Sequence, residues 1–151
     1  MAIRENPYSA FNFLVKLGDV NDEASTVGGF SDVSGLGNEI TFSEYRNGND
    51  PENHSRKIGN TNKTDDITLK RGLVGDTKLF EWLKATRQGE FNPQTVTITL
   101  QDERHQQVAQ WVLQRAQPKK WVGPTLAGKG GGEVAMEELH LVAERIDYIS
   151  T

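Results

Sequence analysis

The sequence predicts a mainly β protein with a single α-helix, on three observations. Several short segments, among them Tyr8–Leu17 and Asp65–Arg71, alternate apolar and polar residues as strands with one wet face do. A β-branched run, Thr95–Leu100, lies between turn signals. One segment, Asp76–Arg87, changes to helical spacing. The 151 residues suit one domain, residues 1–151, with no break in composition that argues for two. A hydrophobic content of 35% and a mean hydropathy of −0.61 leave a lone subunit little apolar surface to bury, and oligomerisation is one way to supply more.

In chain order, Phe11, Phe13 and Val15 alternate with Asn12, Leu14 and Lys16 to give the first strand. Gly18–Thr26 reads as an acidic turn. Residues 28–48 hold the densest signals: Gly28, Gly29, Gly35 and Gly37 bracket Phe30, Val33 and Leu36, which predicts two strands and a tight bend. In the second strand Ile40 and Phe42 share one face, and Thr41, Ser43 and Tyr45 the other. Asn47-Gly48 tolerates positive φ and marks the exit from it.

Asn49–Lys63 is nearly devoid of apolar residues, which predicts a long exposed loop, with Arg56 and Lys57 forming a basic spot opposite Asp50 and Glu52. Asp65–Arg71 returns to strand alternation with Ile67 and Leu69 inward. In the helix, Leu79, Phe80, Trp82 and Leu83 make the apolar face, Asp76 is a natural N-cap, and Lys84 and Arg87 suit the last turn. Thr95–Leu100 and Val108–Arg115 then form a hairpin around a polar turn at Asp102–Gln106. Gly123–Gly132 is a glycine-rich connector. Glu133–Ile149 admits two readings: helix formers at helical spacing (Met136, Leu139, Ala143, Ile146), or a strand with Val134, Met136, Glu138 and His140 on one face and Ala135, Glu137, Leu139 and Leu141 on the other.

Several chemistries find no support. A net charge of −4 and a pI near 5.4 argue against a surface that grips phosphates. Without cysteine there is no disulfide, thiolate nucleophile or cysteine zinc site. His54, His105 and His140 stand singly rather than at ligand spacing, and His140 reads as packed or hydrogen-bonded. Ser31 and Ser34 lack the glycine frame of a nucleophile elbow, and the adjacent carboxylates Asp65/Asp66 and Glu137/Glu138 point to opposite strand faces. Gly123–Gly130 approaches a phosphate-binding loop but lacks the final Ser/Thr that would hold Mg²⁺, and Pro124 removes a backbone donor. A nucleotide-binding enzyme built on it is the contrasting reading to a flexible connector. Trp82, Trp111, Trp121, Phe42, Phe80 and Phe91 read as core or interface packing rather than a base-stacking platform. The N-terminus lacks a secretory pattern, and no apolar run approaches the roughly 20 residues that span a bilayer.

Taken in order, FNFLVKLG, GGFSDVSGL, EYRNG, DITLKRG, LFEWL, VTITLQDE, VAQWVLQRAQPKKWVGP and EVAMEELHLVAERID resemble the tail-tube family of contractile phages and phage-derived extracellular contractile injection systems, from about Ala10 to Tyr148. The resemblance implies a two-sheet β-barrel or sandwich subunit with one flanking helix, and a strand rather than a helix for EVAMEELHLVAE. It further implies hexameric rings stacked into a hollow conduit, no enzymatic activity and no cofactor. Its partners would be further copies of itself, a contractile sheath, a baseplate or tube initiator, a terminator or cap, and cargo protein or DNA in the lumen, with no membrane. Assembly in a bacterial cytoplasm into a virion or injection particle goes with that family. A related role is the tube initiator that joins tube to baseplate. On this reading Glu39, Ile40, Thr41, Phe42, Ser43 and Tyr45 form a candidate wall strand. The arm Arg46–Lys63 contacts neighbouring subunits or rings, and Glu44, Arg46, Asn47, Asp50, Glu52, Arg56 and Lys57 supply its charged and polar contacts.

Overall fold

A computed structural model describes residues 5–18, 29–49, 51, 54–73, 75–129 and 134–150. Its elements are β1 (Phe13–Leu17), β2 (Asp32–Ser34), β3 (Asn38–Tyr45), β4 (Arg56–Thr64), β5 (Ile67–Gly72), α1 (Lys78–Arg87), β6 (Gln94–Gln101), β7 (Gln107–Val122), β8 (Met136–Val142) and β9 (Arg145–Ser150). All pairings among them are antiparallel.

The length of β7 organises the fold. Its first part pairs with β6 on one side and β9 on the other, giving the strand order β1-β6-β7-β9. From Gln117 onward it pairs with β8 instead, and the order runs β7-β8-β5-β2. The two sheets are therefore one ribbon of hydrogen bonds folded at a shared strand. The fold falls at Arg115, which sits at φ 52, a conformation most side chains avoid. Pro118 is tolerated just beyond it because that part of β7 has a partner on one side only, and the register shifts between Pro118 and Lys120. The predicted hairpin stopped at Arg115. The strand continues to Val122 because β8 offers it a second set of partners, which Pro118, Lys119 and Lys120 conceal in composition.

Side chains from the two sheets meet in one core. Val15 stands opposite Ile98, and Leu17, Val96 and Leu113 line the next row. They face Ile67, Leu69, Leu139 and Leu141 from the other sheet, and helix α1 adds Leu79 and Trp82. The Trp82 indole N–H donates to the Asn92 carbonyl at 3.0 Å, which ties the helix to the chain that follows it. Asp76 does cap the helix start, its carboxylate accepting from the Lys78 N–H at 3.0 Å, although the boundary residue itself is Thr77.

The ambiguous terminal segment is strand. Met136–Val142 shows Glu137, Leu139 and Leu141 buried in alternation, as the strand reading required, and Ala143-Glu144 carries the chain into β9 on the other sheet. Sheet pairing on both sides of β8 outweighs the local helix propensity. His140 is hydrogen-bonded, with Nδ1 3.1 Å from Thr68 Oγ1, and its Nε2 lies 3.4 Å from Glu138. Beside it Lys70, chiefly through its hydrogen bond, holds the Glu138 carboxyl below the ordinary carboxylate range.

Gly35 and Gly37 make the bend between β2 and β3, and the need for glycine is steric. At Gly35, with φ 87, a β-carbon would lie 2.1 Å from the Asp66 carbonyl oxygen; at Gly37 it would lie 2.2 Å from the Asp65 carboxylate. The close neighbour is thus the start of β5 in the same chain. Of the acidic turn predicted at Gly18–Thr26, residues 19–26 lie outside the described residues.

Candidate assembly surface: the β3–β4 ribbon

The long loop expected over Asn49–Lys63 is corrected by the structure. Arg56–Thr64 is strand β4, paired along its length with β3 in a two-stranded ribbon separate from the main sheet, and only residues 46–55 connect them. Neither face of the ribbon is buried in the subunit, so no selection for alternation acted on β4 and its composition reads as loop.

Register places Tyr45 opposite Arg56, Glu44 opposite Lys57, Ser43 opposite Ile58, Phe42 opposite Gly59, Ile40 opposite Asn62 and Glu39 opposite Lys63. Between Ile40 and Phe42 the partner strand advances one residue further, so Asn60 and Thr61 together face Thr41 in a bulge that bends and twists the ribbon. The alternation of β3 survives: Ile40 and Phe42 share one face, Thr41, Ser43 and Tyr45 the other. Gly59 leaves room for the ring across from it, since a β-carbon there would sit 3.5 Å from Phe42 Cε1 and 3.8 Å from Ile40 Cγ2.

Two polar contacts cross between the strands, and a third lies within the exit of β3. Lys57 Nζ pairs with the Glu44 carboxylate, Asn60 donates to the Ser43 hydroxyl, and the Tyr45 hydroxyl donates to the side-chain carbonyl of Asn47. The hydrogen bond from Lys57, reinforced by its charge, holds the Glu44 carboxyl below its ordinary value of 4.5. A lowered carboxylate contributes stability above its unfolded value and loses it as pH falls through the folded one. In an NMR titration of the Glu44 carboxyl carbon, Lys57→Gln should therefore move the midpoint up toward 4.5, while the native protein titrates lower.

The ribbon exposes large apolar side chains: Ile40 is 52% exposed, Phe42 56%, Tyr45 50% and Ile58 48%. Of the residues expected to make contacts, Glu44 and Lys57 are brought together, Arg56 sits across from Tyr45, and Arg46 and Asn47 lie at the exit of β3. Asp50 and Glu52 lie outside the described residues. The expectation of packed aromatics divides. Trp82 is buried, Phe80 meets Trp121 edge-on at 5.2 Å, and Trp111 contacts Tyr148 at 5.5 Å, but Phe42 and Phe91 are exposed in the subunit.

Sequence reasoning missed Ile58, Gly59 and Asn60 as ribbon residues. It also missed a buried ion pair behind the helix start. Arg71 Nε donates to Glu137 Oε1 at 2.5 Å, and the Trp121 indole N–H donates to Glu137 Oε2 at 3.1 Å. A second guanidinium nitrogen of Arg71 donates to the Asp76 carbonyl at 3.0 Å, so one arginine joins β5, β8 and the turn before α1. The signal was present: Arg71 continues the inward series Ile67, Leu69, and Glu137 the series Leu141, Leu139.

The phosphate-loop reading of Gly123–Gly130 does not hold. The described part, Gly123–Lys129, has no regular structure, and the next element is strand β8 rather than a helix whose N-terminus could receive phosphate. Among the described residues no cluster of three or more histidine, aspartate or glutamate side chains could hold a metal, and no helix is long and apolar enough to cross a membrane.

Comparison with known proteins supplies the relatives. A chain of the PVC sheath–tube complex, from an extracellular contractile injection system in the extended state, is similar at 25% identity and a TM-score of 0.83, over 97% of this chain and 94% of that one. A chain of the PVC sheath/tube terminator, also in the extended state, is similar at 25% identity and a TM-score of 0.83, over 97% of this chain and 99% of that one. Hcp1 from Flavobacterium johnsoniae shares the fold alone, at 13% identity and a TM-score of 0.56, over 91% of this chain and 96% of that one. No curated protein matches the sequence. The sequence pattern of the T4-like virus tail tube protein gp19 matches residues 9–147, so nearly the whole subunit, from β1 into β9, is accounted for by one family, and the chain belongs to the tail tube proteins.

Proposed function

We propose that this protein is the structural inner-tube subunit of a contractile injection machine or phage tail, a single tube domain that closes into hexameric rings and stacks into a hollow conduit for protein or DNA cargo. The observation that carries the reading, beyond family membership, is the β3–β4 ribbon. It holds Ile40, Phe42, Tyr45 and Ile58 in solvent together on one strand pair. Exposed apolar groups on a strand pair with open edges mark a surface built to be covered. Among the described residues, strands β1, β2 and β9 also end their sheets with one side unpaired, which gives neighbouring subunits edges on which to continue a barrel.

On this reading Glu39–Tyr45 contributes to the wall, while Glu44, Arg46, Asn47, Asp50, Glu52, Arg56 and Lys57 contact adjacent subunits or rings. The work is assembly rather than catalysis, and no cofactor takes part. Likeness to the sheath–tube and terminator chains supports partnership with a contractile sheath and a terminator, and a baseplate or initiator belongs at the other end. Assembly takes place in the bacterial cytoplasm before the particle is released or anchored. Electron microscopy of the purified protein should show long hollow tubes with six-fold end views. Single rings that never stack would favour the initiator role, and a persistent monomer would reject both.

A further inference from the structure

Asn47-Gly48 is the one Asn-Gly step in the chain, and it lies where the ribbon strand β3 opens into the connection to β4. Two features of its surroundings bear on its chemistry. A β-carbon built on Gly48 meets no atom within 4 Å, so the backbone there is unobstructed and free of the restraint a side chain imposes. The Tyr45 hydroxyl, two residues earlier at the end of β3, donates a hydrogen bond to Asn47 Oδ1.

We propose that Asn47 is a self-modification site, at which the chain converts its own amide to a carboxylate with Tyr45 assisting. Hydroxide takes the proton from the Gly48 amide nitrogen, which attacks Asn47 Cγ and forms a C–N bond. Negative charge then develops on Oδ1, the atom that already accepts the Tyr45 hydrogen bond, so the donor stabilises the tetrahedral intermediate. Collapse of the intermediate breaks the bond to Nδ2, which leaves as ammonia after taking a proton from water, and a cyclic imide remains. Water opens the imide at either carbonyl. Attack at Cγ gives aspartate, and attack at the main-chain carbonyl gives isoaspartate, whose backbone is one methylene longer. Water and hydroxide are the only other reactants, and nothing is oxidised or reduced. The product adds one negative charge per subunit at the end of the ribbon where its two strands are connected.

The test incubates the intact protein at mildly alkaline pH and follows each asparagine by peptide mass spectrometry, with chromatography separating aspartate from isoaspartate. Asn47 should convert faster than every other asparagine and yield both products. Gly48→Ala should slow it about tenfold, the change that ~1.4 kcal/mol of barrier produces. Tyr45→Phe, which keeps the ring and removes the donor, should slow it by about three- to tenfold. Circular dichroism confirms that both variants fold. Conversion at Asn47 no faster than at Asn38, Asn60 or Asn62, or a rate unchanged by Tyr45→Phe, would overturn the proposal.

Discussion

Glu137→Ala is expected to destabilise the subunit by about 3–5 kcal/mol, the cost of taking from a buried charge its nearest partner. Arg71 and Glu137 are each 2% exposed, so water cannot replace the lost carboxylate. Arg71 would keep its bond to the Asp76 carbonyl and the Asp76 carboxylate 3.5 Å away, but Trp121 would lose the acceptor for its indole N–H. For a chain of this size the melting temperature should fall by roughly 6–20 °C, read by calorimetry or circular dichroism. The double variant Arg71→Met, Glu137→Leu should recover much of that loss, because a well-packed apolar pair removes both charges together. A single variant that melts with the native protein would show that the pair does not hold β5, β8 and the helix start together.

Reversing two of the ribbon cations, Arg56→Glu with Lys57→Glu, should act on assembly rather than on folding. Lys57 and its partner Glu44 are 60% and 62% exposed, so their loss falls mostly on solvent-screened contacts within the subunit. The reversal also sets a carboxylate across from Glu44 and inverts the charge a neighbouring subunit meets. The melting curve should change little, while tube yield by electron microscopy falls by more than about tenfold. Normal tubes from the folded variant would remove the ribbon from the joint.

These two experiments fall on either side of what the sequence made legible. Strands with a clear apolar alternation announced themselves: Ile67 and Leu69 in β5 and Val96 and Ile98 in β6 lie inward where alternation placed them, whereas β8, whose residues also suit a helix, was read as strand only through the resemblance. Helix α1 was readable because its apolar face meets the core through Leu79 and Trp82. Strand β4 was hidden, since a ribbon exposed on both faces imposes no apolar period on RKIGNTNKT. The far half of β7 was hidden for another reason: its Pro118 and paired lysines suggest a turn, and the second sheet that accepts it is assembled from residues far away in sequence. The charged contacts of the ribbon follow from cross-strand register, which sets Glu44 beside Lys57 only once β4 is recognised as a strand. The Arg71–Glu137 pair was legible in position and not in meaning, because alternation can put two charges on an inward face without showing that they meet.

On the proposed function, the exposed ribbon joins one subunit to the next in a tube. A cryo-electron microscopy reconstruction of tubes assembled from the purified protein tests it most directly. Six-fold rings are expected in which Ile40, Phe42, Tyr45 and Ile58 are covered by neighbouring subunits and Arg56 and Lys57 lie at a contact between copies. Tubes in which the ribbon stays in solvent, or joints made wholly by other surfaces, would contradict it.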